Sequence, residues 1–249
     1  NRKGGYMMNR VNRPIRLDSA YNTRELGGYR TADGRFTRKG VYLRGDSTHS
    51  LTPGDLDRLI KAGVALVIDM RSPDEVSTHP SKFNSVDSVR YENIAMFDGL
   101  TTFFNTGRLP GSMAELYCWL LDNCKEQYRR IFRLFLNSGG ASLFHCTAGK
   151  DRTGVVAMLL LQLAGVPEDM IVKDYSASEH YLSAILGKQK RILEKSGLEV
   201  PDYVLGSKPE DMQATLSYLK EKYQNANNYL LECGLSQEEI NCLIAGFVD

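Results

Sequence analysis

A strand-length apolar run, a short polar loop and a helix-length apolar run follow one another between residues 141 and 163. Residues 141–144 suit a buried strand, and residues 155–161, the longest apolar run in the chain, suit a buried helix. Residues 65–68 form a second continuous aliphatic run of strand length. A strand that is apolar on both faces is typical of a parallel sheet covered by helices. The pattern therefore predicts an α/β fold with buried parallel strands.

The segments between these runs predict alternating strands and helices. Thr52 can cap a helix whose first turn accepts Pro53. Residues 89–94 have the character of a further strand, and residues 112–137 have the apolar spacing of one long helix or a helix pair. We therefore expect a central, mostly parallel sheet flanked by helices, the arrangement that strand–helix alternation gives.

The remaining parts of the chain set the expected domain boundaries. From residue 168 onward the pattern predicts a helical C-terminal part, with helices broken at Gly187, at residues 197–206 and at Gly234. Residues 1–16 are polar, basic and aperiodic, which predicts a flexible lead. Residues 17–249 are expected to form a single domain, which is within the usual size range.

Composition and charge exclude several functional classes. The 249 residues carry 31 basic and 30 acidic side chains, a net charge of +1, so no basic field for nucleic acid is expected. No apolar run approaches the roughly 18 residues of a membrane span. The five cysteines form no CxxC pair, which predicts reduced thiols and no zinc knuckle. The chain begins at Asn1, which we interpret as a trimmed or mature form, so cytoplasmic and secreted locations both stay open.

The loop between the 141–144 strand and the following helix is the segment that predicts chemistry. Successive backbone N–H groups of such a loop, with the free donors of the helix N-terminus, make an anion site of phosphate size. The same field favours a thiolate over a thiol. An arginine at the helix start can hold two phosphoryl oxygens. The segment reads Phe144-His145-Cys146-Thr147-Ala148-Gly149-Lys150-Asp151-Arg152-Thr153-Gly154.

These residues resemble the HCxxGxxR[ST] signature of the cysteine-dependent protein tyrosine phosphatases. The Lys-Asp-Arg-Thr-Gly ending resembles the bacterial tyrosine/serine phosphatases of the IphP type, and Glu25 replaces an aspartate of that family's N-terminal element. The resemblance implies a protein tyrosine phosphatase that hydrolyses phosphomonoesters through a phosphocysteine. The resemblance leaves two alternatives open: activity on phosphotyrosine alone, or a wider range that includes phosphoserine, phosphothreonine and phosphoinositides. Pocket depth would decide between them, and it does not follow from the sequence. Further segments that fit the family are residues 22–28, 43–44, 69–72, 172–175 and 229–240.

Within this interpretation each loop residue has an expected role. Cys146 is the candidate nucleophile, and Arg152 would clamp the equatorial phosphoryl oxygens. His145 is expected to orient the loop and help keep Cys146 charged, although a buried structural histidine is an alternative. Thr153 could donate a hydrogen bond to the sulfur or simply start the helix. The phosphate-binding set is expected to comprise Thr147, Ala148, Gly149, Lys150, Asp151 and Arg152.

Two aspartates are candidates for the general acid. The chain has no Trp-Pro-Asp tripeptide, and its single tryptophan, Trp119, lies in a predicted helix. Asp151 lies inside the loop, whereas Asp98 follows a predicted strand at the start of an irregular segment. We expect Asp151 to protonate the leaving group and then activate water, with Asp98 assisting.

Four other charged residues each have two candidate roles. Lys150 is either a second cation beside the phosphate, favouring highly charged substrates, or a solvated lysine. Asp69 and Arg71 follow a strand at the edge where α/β sheets bind ligands. They are interpreted either as substrate contacts or, preferably, as an ion pair that braces the loop. Arg44 has the same ambiguity.

Two other functions compete with a phosphatase. A phosphate-binding module would capture phosphotyrosine or a lipid headgroup without hydrolysis, but would need no nucleophile. A rhodanese-like sulfur transferase also uses a loop cysteine, although Arg152 and the following Thr153-Gly154 favour phosphate. No metal or cofactor is expected, and the expected partner is a phosphorylated protein or a phosphoinositide. The oligomeric state is not predicted.

Overall fold

The computed structural model describes residues 13–96, 110–195 and 202–249. Its strands are β1 Arg24–Glu25, β2 Tyr42–Gly45, β3 Val64–Asp69, β4 Arg90–Asn93 and β5 Ala141–His145. They form one sheet in the order β1-β2-β5-β3-β4, in which β1 is antiparallel to β2 and all other pairs are parallel. The predicted central, mostly parallel sheet is confirmed.

Helices cover the sheet and build the C-terminal part, as predicted. None of those in the described ranges has both the length and the apolar content of a membrane span. In chain order they are α1 Pro53–Lys61, α2 Pro73–Thr78, α3 Met113–Asn123, α4 Lys125–Leu136, α5 Asp151–Leu163, α6 Glu168–Lys195, α7 Asp202–Leu205, α8 Pro209–Tyr223, α9 Ala226–Glu232 and α10 Gln237–Phe247.

The start of α1 illustrates how local sequence sets an element. The Thr52 hydroxyl accepts a hydrogen bond from Asp55 N at 3.1 Å, and the Asp55 carboxylate accepts one from Thr52 N at 3.2 Å. This reciprocal capping box satisfies two donors that the first turn leaves without partners. Pro53 occupies the first helical position, where its missing N–H costs nothing. The predicted helix start is confirmed.

The strands bury both faces, which is why their sequences are continuously apolar. Val67 and Leu143 pack on the face that α1 covers, together with Leu59. Ile68 and Phe144, their neighbours along the strands, point into the larger core on the opposite face. Alternate strand residues face opposite sides of a sheet, so a strand covered on both sides needs apolar residues at every position.

The structure corrects one boundary and refines two others. The predicted break at Gly187 is wrong, because α6 runs through it. One glycine inside a helix costs only about 1 kcal/mol relative to alanine, which packing of α6 against α5 and α8 can outweigh.

Residues 112–137 form the helix pair α3 and α4. At the N-terminus, Ile15 N donates to Thr23 O at 2.8 Å, so ordered contacts begin inside the predicted lead; residues 1–12 lie outside the described residues.

Three parallel strands end at the same level of the sheet. In the register, Gly45 of β2 and Asp69 of β3 both lie beside His145 of β5. The segments that follow β2, β3 and β5 therefore meet at one edge, the carboxyl edge at which open α/β sheets place their sites.

Candidate active site

A tight turn of residues 146–150 joins β5 to α5. Gly149 has a φ of 67°, and a Cβ atom at this position would lie 2.3 Å from Gly45 O. Only glycine adopts this left-handed conformation without strain and also leaves room for the β2 backbone. The glycine therefore fixes the loop against the end of β2.

Cys146 lies at the bottom of this turn. The residue is only 2% exposed, and the Thr153 hydroxyl donates a hydrogen bond to its sulfur at 3.2 Å. Because Thr153 is in the first turn of α5, the sulfur lies at the N-terminal end of that helix. The partial positive charge and free N–H groups of a helix N-terminus attract anionic ligands to this place.

The loop carbonyls are held from outside by the N-terminal third of the chain. Ser47 N donates to Thr147 O at 3.0 Å, and Asn22 Nδ2 donates to the carbonyls of Ala148 and Gly149 at 3.0 Å each. In the part of the chain that the structure describes, the backbone N–H groups of residues 147–150 donate no hydrogen bond to the protein. Outward carbonyls and uncommitted amides are the arrangement that binds an anion.

Arg44 adds a second brace to the loop. Its Nη2 donates to Gly149 O at 2.8 Å, while its Nη1 pairs with the carboxylate of Asp174 on α6. The same carboxylate accepts from Arg24 Nε at 3.1 Å and from the Tyr29 hydroxyl at 2.9 Å. Burial would raise the pKa of Asp174, but the two guanidinium groups, Arg24 and then Arg44, lower it instead. Arg44 thus lies in a buried ion cluster, with a contact to the loop backbone and not to the sulfur.

The Arg152 guanidinium folds back over the loop. Its Nη1 and Nη2 donate to the two carboxylate oxygens of Glu75 at 2.7 and 2.9 Å, and Nη2 lies 3.3 Å from the Thr147 hydroxyl. Burial would raise the pKa of Glu75, but the hydrogen bonds and charge of Arg152, with the Thr147 hydroxyl, lower it to about 2. Glu75 is therefore charged at neutral pH and holds the guanidinium in a bidentate pair.

Glu75 is the main site residue that the sequence reasoning missed. It lies in α2, where Ser72 and Glu75 form a capping box immediately after the β3 strand end. That pattern predicts a helix start at the carboxyl edge of the sheet, and it is the sequence signal by which Glu75 could have been placed near the site. The contact to Arg152 joins residues 77 positions apart, so it depends on β3 lying next to β5.

Asp151 opens α5, and one of its carboxylate oxygens makes both a hydrogen bond and an ion pair. The Tyr117 hydroxyl donates to Asp151 Oδ1 at 2.5 Å, and Lys150 Nζ lies 3.2 Å from the same atom. Asp151 is therefore beside the loop, close in sequence and space to Arg152. Asp98, the other predicted acid, lies outside the described residues.

Lys150 is buried, and its ammonium group is directed toward the C-terminal part. Nζ donates to Val204 O at 2.8 Å and to Gly206 O at 2.7 Å, in addition to its contact with Asp151. A solvated lysine, one of the two sequence interpretations, does not fit this burial. In this structure the ammonium group links the loop to residues 204–206.

His145 is fully buried directly beneath the loop. Its Nδ1 lies 3.0 Å from Cys146 O, and since a carbonyl only accepts, Nδ1 carries the hydrogen. Its Nε2 lies 3.3 Å from the Thr48 hydroxyl and 3.7 Å from Asp69 Oδ2. Burial lowers the pKa of His145, which favours the neutral imidazole at neutral pH. The ring is thus placed to orient the Cys146 backbone.

Asp69 and Arg71 form a buried ion pair. Arg71 Nη2 donates to Asp69 Oδ2 at 2.7 Å, and Arg71 Nη1 donates to His79 O at 2.8 Å. The Tyr91 hydroxyl also donates to Asp69, at 2.8 Å. The Asp69 carboxylate is therefore committed to residues of the protein.

A parallel sheet whose central strand delivers a buried cysteine into an amide-lined turn before a helix is the arrangement of cysteine-dependent phosphatases. The model of the family described as "Tyrosine phosphatase family" matches residues 15–249, and the chain belongs to that family. The expected family, fold and tyrosine phosphatase function are thereby confirmed.

Two relatives illustrate the likeness over most of the chain. A tyrosine-protein phosphatase of Nostoc commune is 34% identical over 222 residues, covering 82% of this chain and 72% of the relative. The triple specificity protein phosphatase PtpB of Mycobacterium tuberculosis is 25% identical over 269 residues, covering 90% of this chain and 95% of the relative.

In the described ranges, no group of three or more His, Cys, Asp or Glu side chains is placed to hold a metal ion.

Proposed function

We propose that Cys146 is the nucleophile of this tyrosine phosphatase. Its thiolate attacks phosphorus in line, the phosphorus–oxygen bond to the alcohol breaks, and phosphate remains on the sulfur until water releases it. The observation that supports this proposal best is the position of the sulfur. It accepts a hydrogen bond from the Thr153 hydroxyl at the N-terminus of α5, and the surrounding loop has backbone N–H groups without a partner in the described residues. These amides would meet the phosphoryl oxygens.

Arg152 would complete the phosphate site. Its two terminal nitrogens are held by Glu75, with longer contacts of 3.2 Å to Met70 O and 3.3 Å to Thr147. A phosphoryl group can take over these longer contacts while the bidentate Glu75 pair keeps the guanidinium plane in position. The charge that develops on the equatorial oxygens would then face a fixed cation.

Asp151 would supply the proton that the leaving oxygen needs, with Asp98 assisting. Its place in the loop next to Arg152 supports this role. Asn substitution of each aspartate tests the assignment with two aryl phosphates, one with a poor and one with a good leaving group. A loss greater for the poor leaving group identifies the acid, whereas equal losses would exclude that residue.

We further propose that the substrates include phosphoserine, phosphothreonine and phosphoinositides as well as phosphotyrosine. The support is the similarity over most of the chain to a relative whose name states triple specificity. Catalytic efficiency should be compared on a phosphotyrosine peptide, a phosphoserine peptide and phosphoinositide vesicles. Turnover of the phosphotyrosine peptide alone would contradict the wider range.

The nucleophile is tested with p-nitrophenyl phosphate in the presence of EDTA. Cys146→Ser should abolish turnover, and acid-quenched wild-type enzyme should hold phosphate on a thiol. Cys124→Ser is the matched control, because both cysteines are 2% exposed. Phosphotyrosine binding without hydrolysis by the wild type would indicate a binding module instead. Thiosulfate-to-cyanide sulfur transfer in place of phosphate release would indicate a sulfur transferase.

A further inference from the structure

Two helices bring a chain of two hydroxyl groups to Asp151, the first residue of a third helix. The Tyr117 hydroxyl, from α3, lies 2.5 Å from Asp151 Oδ1 at the start of α5. The Tyr175 hydroxyl, from α6, lies 2.6 Å from that of Tyr117. The two tyrosines are 0% and 1% exposed, and their rings meet edge to face with centroids 5.8 Å apart. The chain of hydroxyl groups is therefore held rigidly by packing.

The donor directions in this chain follow from the chemistry of its ends. A carboxylate only accepts, so the single hydrogen of Tyr117 is donated to Asp151. Tyr117 must then accept from Tyr175. Burial raises the pKa of both tyrosines well above the ordinary value, so both hydroxyls keep their hydrogens. Hydrogen bonds that are linked in this way strengthen one another.

The two oxygens of Asp151 are therefore not equivalent. Oδ1 accepts the hydrogen bond of the Tyr117 hydroxyl, and the same oxygen forms an ion pair with Lys150 Nζ at 3.2 Å. Within the described residues, the Tyr117 hydrogen bond and the Lys150 ion pair are both made to Oδ1 and not to Oδ2. A transferable proton on Asp151 would consequently reside on Oδ2.

We propose that Tyr117 is a positioning residue that orients the general acid, an inference that rests on the proposed role of Asp151. As the phosphorus–oxygen bond breaks and its electron pair passes to the leaving oxygen, the Oδ2–H proton moves to that oxygen. The carboxylate that results is stabilised at Oδ1 by Tyr117 and Lys150. In the second step Oδ2 takes a proton from the water that attacks the phosphocysteine, which restores the acid.

The test is Tyr117→Phe, assayed with phenyl phosphate and with p-nitrophenyl phosphate. We expect kcat for phenyl phosphate, the poorer leaving group, to fall about tenfold to a hundredfold, the range expected from a displaced general acid. The loss with p-nitrophenyl phosphate should be less than about threefold. On an Asp151→Asn background, Tyr117→Phe should cause no further loss with either substrate, because its effect passes through Asp151.

Tyr128→Phe is the matched control. Tyr128 is equally buried, and its hydroxyl has no hydrogen-bond partner in the described part of the chain, so this variant should keep wild-type rates with both substrates. Equal losses with both substrates, or additive losses in the double variant, would overturn the positioning role. If Asp151→Asn itself shows no dependence on the leaving group, the proposed acid fails. If Asp151→Asn shows that dependence and Tyr117→Phe does not, only this inference fails.

Discussion

Removing the charge of Asp174 should destabilise the whole domain. Its carboxylate is 2% exposed and pairs with the fully buried guanidinium groups of Arg24 and Arg44. Asp174→Asn keeps the shape of the side chain but leaves two buried cations without their counterion. Breaking a buried pair in this way costs about 3–5 kcal/mol. Arg24 retains its contacts to Asn22, but Arg44 Nε already has no partner in the described residues. We therefore expect the free energy of unfolding to fall by the whole of this amount, about 3–5 kcal/mol.

The assay is urea and thermal unfolding at neutral pH. For a domain of this size each kcal/mol shifts Tm by about 2–4 °C, so Tm should fall by roughly 6–20 °C. Asp169→Asn, on the same helix, is the control. Asp169 pairs with Lys173 at 2.9 Å but is 65% exposed, so its loss should cost no more than about 0.5 kcal/mol.

The pH dependence gives an independent check. The pKa of Asp174 is lowered in the folded protein, so its contribution is present above the unfolded value of about 3.9 and disappears as pH falls through the folded value. The stability difference between wild type and Asp174→Asn should therefore be constant between about pH 5 and 8 and shrink only in more acidic solution. A difference below about 1 kcal/mol at pH 7, or one that grows as pH falls, would refute the reasoning.

Three further changes probe the loop. Glu75→Gln should lower kcat/KM about tenfold, because the Arg152 guanidinium loses the carboxylate that holds it. Since the pKa of Glu75 is about 2, the ratio of variant to wild-type kcat/KM should stay constant between about pH 5 and 8. A ratio that changes with pH in this range would contradict the prediction. Thr153→Val removes the hydroxyl 3.2 Å from the sulfur and should slow hydrolysis of the phosphocysteine about tenfold. In pre-steady-state assays this should appear as a larger burst of released alcohol. A slower burst with an unchanged steady-state rate would count against the prediction. Gly149→Ala, whose Cβ would lie 2.3 Å from Gly45 O at a φ of 67°, should cost about 2–5 kcal/mol in urea unfolding, and a cost under about 1 kcal/mol would be inconsistent with this geometry.

The sequence by itself determined the elements whose causes are local. Residues 141–163 specify strand, turn and helix through an apolar run, a glycine and a second apolar run. Thr52 and Pro53 specify where α1 begins, because a cap acts within one turn. The loop motif also carried the resemblance to the family, and its cysteine, glycine and arginine are residues that one anion site uses together.

Only the tertiary structure decided which distant residues hold that loop. The order β1-β2-β5-β3-β4 places the ends of β2 and β3 on either side of β5. This brings Glu75 to Arg152 across 77 positions and Asn22 to the loop carbonyls across 126 and 127 positions. Tyr117 reaches Asp151 because α3 packs against α5. The sequence pattern of each segment reports burial and local caps, whereas these pairings depend on strand order and helix packing, for which one chain carries no local signal.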